Sequence, residues 1–339
     1  MNHPTAIRMR RRAAMKLTIL ATLAAVTGVA SPLAFAQPAT DYPRRPVRLI
    51  VPFPPGGGND NVARPIAAKA AELLGQPIVI DNRPGAGTTM GADMAAKSAP
   101  DGYTLLIGSI GSHILSPYLY KRLPYDPVKD FEPVALLATA PNVLVVGKDA
   151  KYNSLAELVA AAKAAPGSLT YASPGVGTPA HLAAEIFKKQ AGLDILHVPY
   201  KGGANYLPDI IAKRVDMVFD TTTSSIPFMR SGQLRALAIS RPERLADFPA
   251  VPTFAQAGYP AYDTGSWYGV FAPAGTPRAI VERLATQFHA AVQDGGVSKL
   301  LTGLGADPVG SSSKVFSDFL KTEATKYGQV MADTPIQPE

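Results

Sequence analysis

The amino-acid sequence predicts an α/β protein of two lobes, each a mostly parallel sheet flanked by helices, with two extended crossings between them. Three observations lead there. Short apolar stretches alternate with alanine-rich helical patterns, which is how strand–helix units feed one parallel sheet covered on both faces. The alternation comes as two series, separated by a long strand-rich stretch, FEPVALLATAPNVLVVGK, at 131–148. A second extended stretch, GSWYGVFAPAGTP at 265–277, ends the second series before helices close the chain from Arg278 onward. At 339 residues and 47% hydrophobic content, the chain has ample material for a core and the length of two domains.

The chain opens on a basic stretch (Arg8, Arg10, Arg11, Arg12, Lys16), then an apolar run from Leu17 to Ala30, then Ala34-Phe35-Ala36. That order is the one found in secretory signal peptides. The apolar run is about 14 residues, short of the roughly 20 that a membrane span needs. Cleavage is therefore expected after Ala36, giving an exported mature chain with no stable membrane insertion. The formal charge of +7 belongs mostly to this segment. Five of the 33 basic residues lie in it and none of the 26 acidic ones, leaving 28 against 26, or +2. A nearly balanced chain has no electrostatic footprint for nucleic acid. The absence of cysteine excludes disulfides, zinc–thiolate sites and a cysteine-linked lipid anchor.

In the first series, VRLIVPF (47–53), PIVIDNR (77–83) and GYTLLIGS (102–109) read as strands. NVARPIAAKAAELLG (61–75) and MGADMAAKSA (90–99) read as helices between them. The second series runs SLAELVAAAKAA (154–165), LTYASPG (169–175), PAHLAAEIFKKQAG (179–192), ILHVPYKG (195–202), ANYLPDIIAKRV (204–215), DMVFDT (216–221) and LRALAIS (234–240). The second lobe is then an insertion in the first: residues 37–138 and 268–339 form lobe 1, and 139–267 form lobe 2. The tail beyond about Asp333 is expected to be loose.

Two loops stand out. In PGGGND (55–60), glycines that allow close backbone approach precede a helix start, where unpaired amides and the helix dipole favour an anion. Asn59 or Asp60 serves equally well as a plain cap there, and no Gly-Lys-Ser/Thr follows to make a nucleotide P-loop. YASPGVGTPAHLAAEIF (171–187) repeats the device. Ser173 and Thr178 add hydroxyls, Gly175 and Gly177 expose backbone, and His181 in the first helical turn could reach the same point or simply pack. Both loops fall at strand C-terminal ends, where open α/β sheets place ligands. Two facing cradles suit a molecule with two carboxylates, or with one carboxylate and another polar end. A third run, Gly85-x-Gly87-x-x-x-Gly91, resembles a dinucleotide turn, but the next strand ends without an acidic residue to hold a ribose. No cofactor is expected.

Catalytic signatures are missing. Neither Ser109 nor Ser173 has the flanks of a nucleophile elbow, and His113, His181, His197 and His289 show no metal-ligand spacing. Asp60, Asp216 and Asp220 read as ordinary caps as readily as acid–base pairs. The sequence does not point to an enzyme or to a metal site.

In YPRRPVRLIVPFPPGGGNDNVAR (42–64), IVIDNRPGAGTTMGADMAAKSAPDGYTLL (78–106), YASPGVGTPAHLAAEIF (171–187), HVPYKGG (197–203) and DMVFDT (216–221), the chain resembles the periplasmic receptors of tripartite tricarboxylate transporters, the Bug (Bordetella uptake) family. The likeness runs in order along essentially the whole mature chain. It implies a two-lobed Venus-flytrap fold of the periplasmic-binding-protein type, which takes a small carboxylate into the interlobe cleft and delivers it to an inner-membrane permease. The resemblance carries ligand roles to Phe53, Gly57, Gly58 and Asp60 in the first loop and to Ser109 in GSIGSH. In the second lobe it carries them to Ser173, Gly175, Thr178 and His181, and to Tyr200 and Asp220 on later strands. Lys213 and Arg214 depart from the family's small residues at that point and read as a solvated helix end. A monomer is the default expectation. Two readings stay beside this one: an exported ligand sensor feeding a signalling partner, and an exported α/β hydrolase. The particular carboxylate is not legible.

Overall fold

A computed structural model of the chain describes residues 42–200 and 205–334. The expected signal peptide and its cleavage point after Ala36 lie outside the described residues.

The first series folds as β1 (Val47–Val51), α1 (Gly58–Leu74), β2 (Ile78–Asn82), α2 (Thr89–Ala96), β3 (Thr104–Gly108) and a short α3 (Ser116–Leu119). β4 (Phe131–Gly147) follows as one strand of 17 residues. The second series is α4 (Leu155–Ala164), β5 (Thr170–Ser173), α5 (Pro179–Ala191), β6 (Leu196–Pro199), α6 (Leu207–Ile211), β7 (Met217–Thr221), α7 (Thr222–Arg230) and β8 (Leu234–Ile239). β9 (Gly265–Pro273), α8 (Arg278–Gln293), α9 (Gly295–Gly303), β10 (Asp307–Pro308) and α10 (Ser313–Asp333) complete the chain.

The strands run in the order β2-β1-β3-β9-β4-β7-β5-β6, with β8 and β10 also paired to β4. β1, β2 and β3 are parallel to one another, as are β5, β6 and β7. β4 joins the two halves. Its first part, Phe131 to Pro141, lies antiparallel to β9, and its last part, Asn142 to Gly147, lies against β7 and β8. The predicted alternation is therefore two three-stranded parallel units with two antiparallel strands, β9 and β4, between them. This mixed α/β sheet with flanking helices is the two-lobed fold expected.

Both faces of each half are buried, which explains the continuous apolar runs. Along β1, Val47, Leu49 and Val51 pack into the core under α1 and α8, with Ile66 and Phe288. Ile50 points the other way, to Leu106, Trp267, Phe271 and Phe316 under α10. β4 repeats the alternation in the second half: Leu144 and Val146 join one core, Val143 and Val145 the other. Period-two alternation with apolar residues on both faces is what a central strand requires.

One local reading changes. The pattern at 204–215 makes a helix only over Leu207–Ile211. Lys213 adopts a left-handed φ of 58°, and the Arg214 amide turns back to the Asp209 carbonyl at 2.8 Å, which ends the helix. Arg214 then pairs with Asp209 at 2.6 Å on the surface. α7 forms from TTSSIPFMR, a stretch outside the strand and helix patterns named above. Among the described residues no helix is long and apolar enough to cross a membrane, and no group of His, Asp or Glu could hold a metal ion.

Candidate functional site

The C-terminal ends of β1, β3, β5 and β7 meet where the two halves face each other, and β1 and β5 run into the two loops singled out above. After β1, Gly56 takes a φ of 80° that favours glycine. Gly57 is extended and caps α1 without any side-chain hydrogen bond. Gly58 begins the helix at a close approach: a Cβ there would lie 2.5 Å from Thr223 Oγ1 and 2.8 Å from Thr221 Oγ1 of the opposite half. Only glycine lets the helix start come this near. Asp60 holds the loop from within. It is 2% exposed and its carboxylate accepts from the Gly56 amide at 2.9 Å, Arg64 Nε at 2.7 Å and Asn82 Nδ2 at 3.0 Å. Burial opposes its ionisation, but those hydrogen bonds and the Arg64 charge outweigh it and hold the carboxyl below the usual range.

Ser109 ends β3 against a single wide turn over Gly111–Leu115. Its amide donates to Ser112 Oγ at 3.1 Å. Its own hydroxyl is buried with no hydrogen-bond partner, a state that costs about 1–3 kcal/mol unless something supplies the bond.

In the second half, Gly175 and Gly177 take φ of 146° and 76°, and the loop is tied down from below. Ser173 Oγ donates to the Gly175 carbonyl at 2.9 Å and accepts from its amide at 3.1 Å. Thr178 Oγ1 donates to the same carbonyl at 2.7 Å. The Gly177 amide donates to His181 Nδ1 at 3.1 Å, and His197 Nε2 lies 2.6 Å from Ser173 Oγ. The His181 and His197 rings stack at 4.2 Å, and Tyr171 lies near-parallel to both, 4.7 Å from His197 and 6.3 Å from His181. Burial lowers both imidazoles, His197 to about 4, so the pair is neutral and accepts or donates in a fixed tautomer. Asp220, at the end of β7, takes bonds from Tyr206 Oη at 2.9 Å, the Thr221 amide at 2.8 Å and Ser225 Oγ at 2.7 Å. Burial nevertheless raises its carboxyl above the usual range.

Two cavities occupy the junction. A small one of about 50 Å³ is lined by Phe53, Gly57, Gly58, Asn59 and Ser109 from one half and by Pro174, Ala180, Asp220, Thr221 and Ser224 among others from the opposite one. A larger one of about 550 Å³ adjoins it, sharing Phe53 and Pro174, and is lined also by Gly175, Thr178 and Tyr200. Tyr200 Oη donates to Asp209 at 2.6 Å; burial and that carboxylate push its pKa up to about 12. The predicted residues thus divide. Phe53, Gly57, Gly58, Ser109 and Asp220 line the small cavity, and Gly175, Thr178 and Tyr200 line the larger. Asp60, Ser173 and His181 line neither, and instead hold the loops that do. Asn59, Tyr206, Thr221, Ser224 and Ser266 line the small cavity without having been predicted.

The small cavity offers helix starts and hydroxyls rather than a cation, with the Asp220 carboxyl also in its wall. No Lys, Arg or His lines it among the described residues. The N-termini of α1, α5 and α7 converge on it through Gly58, Ala180 and Thr221, and none of the three carries a side-chain cap. Each contributes unpaired amides and about half a positive charge. Asn59 Oδ1, like Ser109 Oγ, is buried there without a partner. A larger groove of about 1020 Å³ runs between α8 and α10, but its charged residues pair with each other, as Arg278 with Glu282 and Lys314 with Asp318, both at 2.6 Å. It is remote from the strand ends and is not the site.

Comparison with known proteins agrees with this geometry. A family model described as the tripartite tricarboxylate transporter family receptor matches residues 62–335. Protein BugT of Bordetella pertussis is 37% identical over 319 residues, covering 94% of this chain and 97% of that one. A solved R. palustris protein with adipate is 38% identical with a TM-score of 0.85, over 88% of this chain and all of that one. MatC from Rhodopseudomonas palustris with bound malate is 35% identical with a TM-score of 0.81, over 86% of this chain and all of that one.

Proposed function

This chain belongs to the tripartite tricarboxylate transporter receptor family, and we propose on that premise that it captures a small carboxylate between its lobes and presents it to a membrane permease. As a member of that family it is a periplasmic solute-binding receptor. The lobes are residues 37–138 with 268–339, and 139–267; residues 1–36 direct export and are removed after Ala36. The single observation that carries the ligand class is the small cavity, where three uncapped helix starts meet a buried hydroxyl without a partner. The relatives solved with adipate and with malate are in keeping with it.

The mechanism is closure coupled to binding. The anion docks on the first-lobe cradle around Gly58 and Ser109, and the second lobe then brings Thr221, Ser224 and the α5 and α7 starts. Charge-assisted hydrogen bonds contribute about 1.5–3 kcal/mol each to the closed state. A handful therefore reaches the roughly 8 kcal/mol of micromolar binding after the costs of immobilisation. No catalytic step is assigned to this chain. Its permease partner is read from the family, and it acts as a monomer.

The test uses residues 37–339, unfolded and refolded to strip carried ligand. Its melting temperature is recorded against a panel of carboxylates, amino acids and neutral sugars. A ligand at 1,000 times its Kd adds about 4 kcal/mol, worth roughly 2–4 °C per kcal/mol in a chain this large. A shift confined to carboxylates is expected. A shift from neutral or cationic compounds alone would overturn the assignment.

A further inference from the structure

We propose that Phe53 and Pro174 form a neck between the two cavities, and that this neck selects carboxylates unbranched at the carbon next to the carboxylate. This rests on the carboxylate reading above and adds a rule of shape to it. Among the described residues, Phe53 and Pro174 are the two that line both cavities, so a molecule occupying both passes between them. The small cavity, about 50 Å³, has room for roughly three or four waters, or for one carboxylate group. With a carboxylate seated there, the adjoining carbon falls at the neck. The rest of the ligand extends into the larger cavity of about 550 Å³, an ordinary volume for a small molecule.

Each side of the neck is held firmly within its own lobe. Phe53 follows β1, packs against the first-lobe core, and its carbonyl accepts from Asn82 Nδ2 at 2.9 Å. The same amide group donates to Asp60 at 3.0 Å, which ties this side to the start of α1. Pro174 follows β5, and its ring fixes its own φ. Ser173 Oγ spans it, donating to the Gly175 carbonyl at 2.9 Å and accepting from the Gly175 amide at 3.1 Å. Both residues are half-buried, which leaves surface to meet a ligand. With neither side free to yield, the width of the neck is set by how closely the lobes approach. They approach tightly beside it: a Cβ on Gly177 would lie 2.6 Å from Leu119 Cδ1, and one on Gly87 would lie 3.4 Å from the Val176 carbonyl. Methyl branches at the neck would hold Phe53 and Pro174 apart, and these contacts with them, which is overpacking of a fitted site. An unbranched chain passes without that cost.

The experiment titrates refolded protein calorimetrically with hexanoate and adipate, and with 2,2-dimethylhexanoate and 2,2,5,5-tetramethyladipate, in which every carboxylate has a quaternary neighbour. The same comparison is made between the carboxylate that gives the largest melting shift and its dimethylated analogue. Each unbranched acid that binds is expected to do so about tenfold or more tighter than its branched partner. Phe53→Ala removes one side of the neck and is expected to bring each pair within about threefold, with Phe53→Leu between the two. The ligand-free melting curve of each variant confirms that it is folded. Equal binding of branched and unbranched acids by the native chain overturns this inference and leaves the carboxylate receptor standing. A tenfold ratio that survives in folded Phe53→Ala overturns the assignment of the neck to Phe53. Binding of no carboxylate at all would defeat the functional reading itself, and the neck with it.

Discussion

Replacing Gly58 by alanine separates ligand affinity from stability in a way that few substitutions here can. The new Cβ would lie 2.5 Å from Thr223 Oγ1, 2.8 Å from Thr221 Oγ1 and 3.4 Å from Tyr268 Oη. An ordinary contact of 3.4 Å therefore requires the α1 start and the α7 start to part by about 0.9 Å. The two threonine hydroxyls cannot simply rotate away: they bond each other at 3.0 Å, and Thr223 bonds Tyr268 Oη at 2.6 Å. Losing one or both bonds in the closed state costs about 1–2 kcal/mol, and the methyl also narrows the small cavity. Affinity should fall roughly 5–30-fold. The unliganded protein should not suffer, because alanine is the better helix former by up to about 1 kcal/mol and the clash is with the opposite lobe. Titration calorimetry gives the first quantity and the ligand-free Tm the second. An unchanged Kd would refute the claim that closure presses these helix starts together. A drop of several degrees in the ligand-free Tm would show the clash to lie within one folding unit.

Two further outcomes follow from the same geometry. Ser109→Ala should weaken carboxylate binding about tenfold while keeping or raising the ligand-free Tm, because the hydroxyl is buried unpaired and its removal relieves a desolvated group; a lower Tm with unchanged affinity would contradict this. Acidification should loosen the second-lobe loop through His181 and His197, and the turn after β3 through His113: all three titrate below the ordinary histidine value near 6.5, His197 at about 4 and His113 at about 3. Between those values and 6.5 the unfolded chain binds more protons than the folded one, so stability rises with pH across this window and is lost as pH falls through it. Affinity should fall in parallel, since a proton on His181 Nδ1 displaces the Gly177 amide, with Glu185 and Lys188 as the nearby charges. A Tm flat from pH 7 to 4 would sink the argument.

The strand–helix alternation and the glycine loops were legible because they depend on local rules: apolar runs, helix starts and positions that exclude a side chain. Gly58 illustrates the limit of that legibility. Its place in the loop was readable, but the residues that require it to be glycine, Thr221 and Thr223, lie more than 160 positions away. The α7 helix was not readable, since Ser, Thr and Pro227 argue for a loop; burial of Thr222, Thr223 and Ser225 at 0% exposure shows tertiary packing overriding propensity. From its position His181 could reach the ligand or simply pack, and the family resemblance gave it a ligand role. Its stacking on His197 of β6 turns the ring beneath the loop instead, a contact set by strand pairing. Asp60 is a similar case: Asn82 of β2 claims a carboxylate that a first-turn acid would otherwise show to the ligand.

The central claim is that a carboxylate sits where three helix starts meet. A crystal structure of residues 37–339 with a carboxylate chosen by the melting panel tests it most directly. The account predicts carboxylate oxygens within hydrogen-bond distance of Ser109 Oγ and of the amides at Gly58, with Thr221 and Ser224 closing from the other lobe. A carboxylate bound elsewhere, for instance in the groove between α8 and α10, with Ser109 still without a partner, would contradict it.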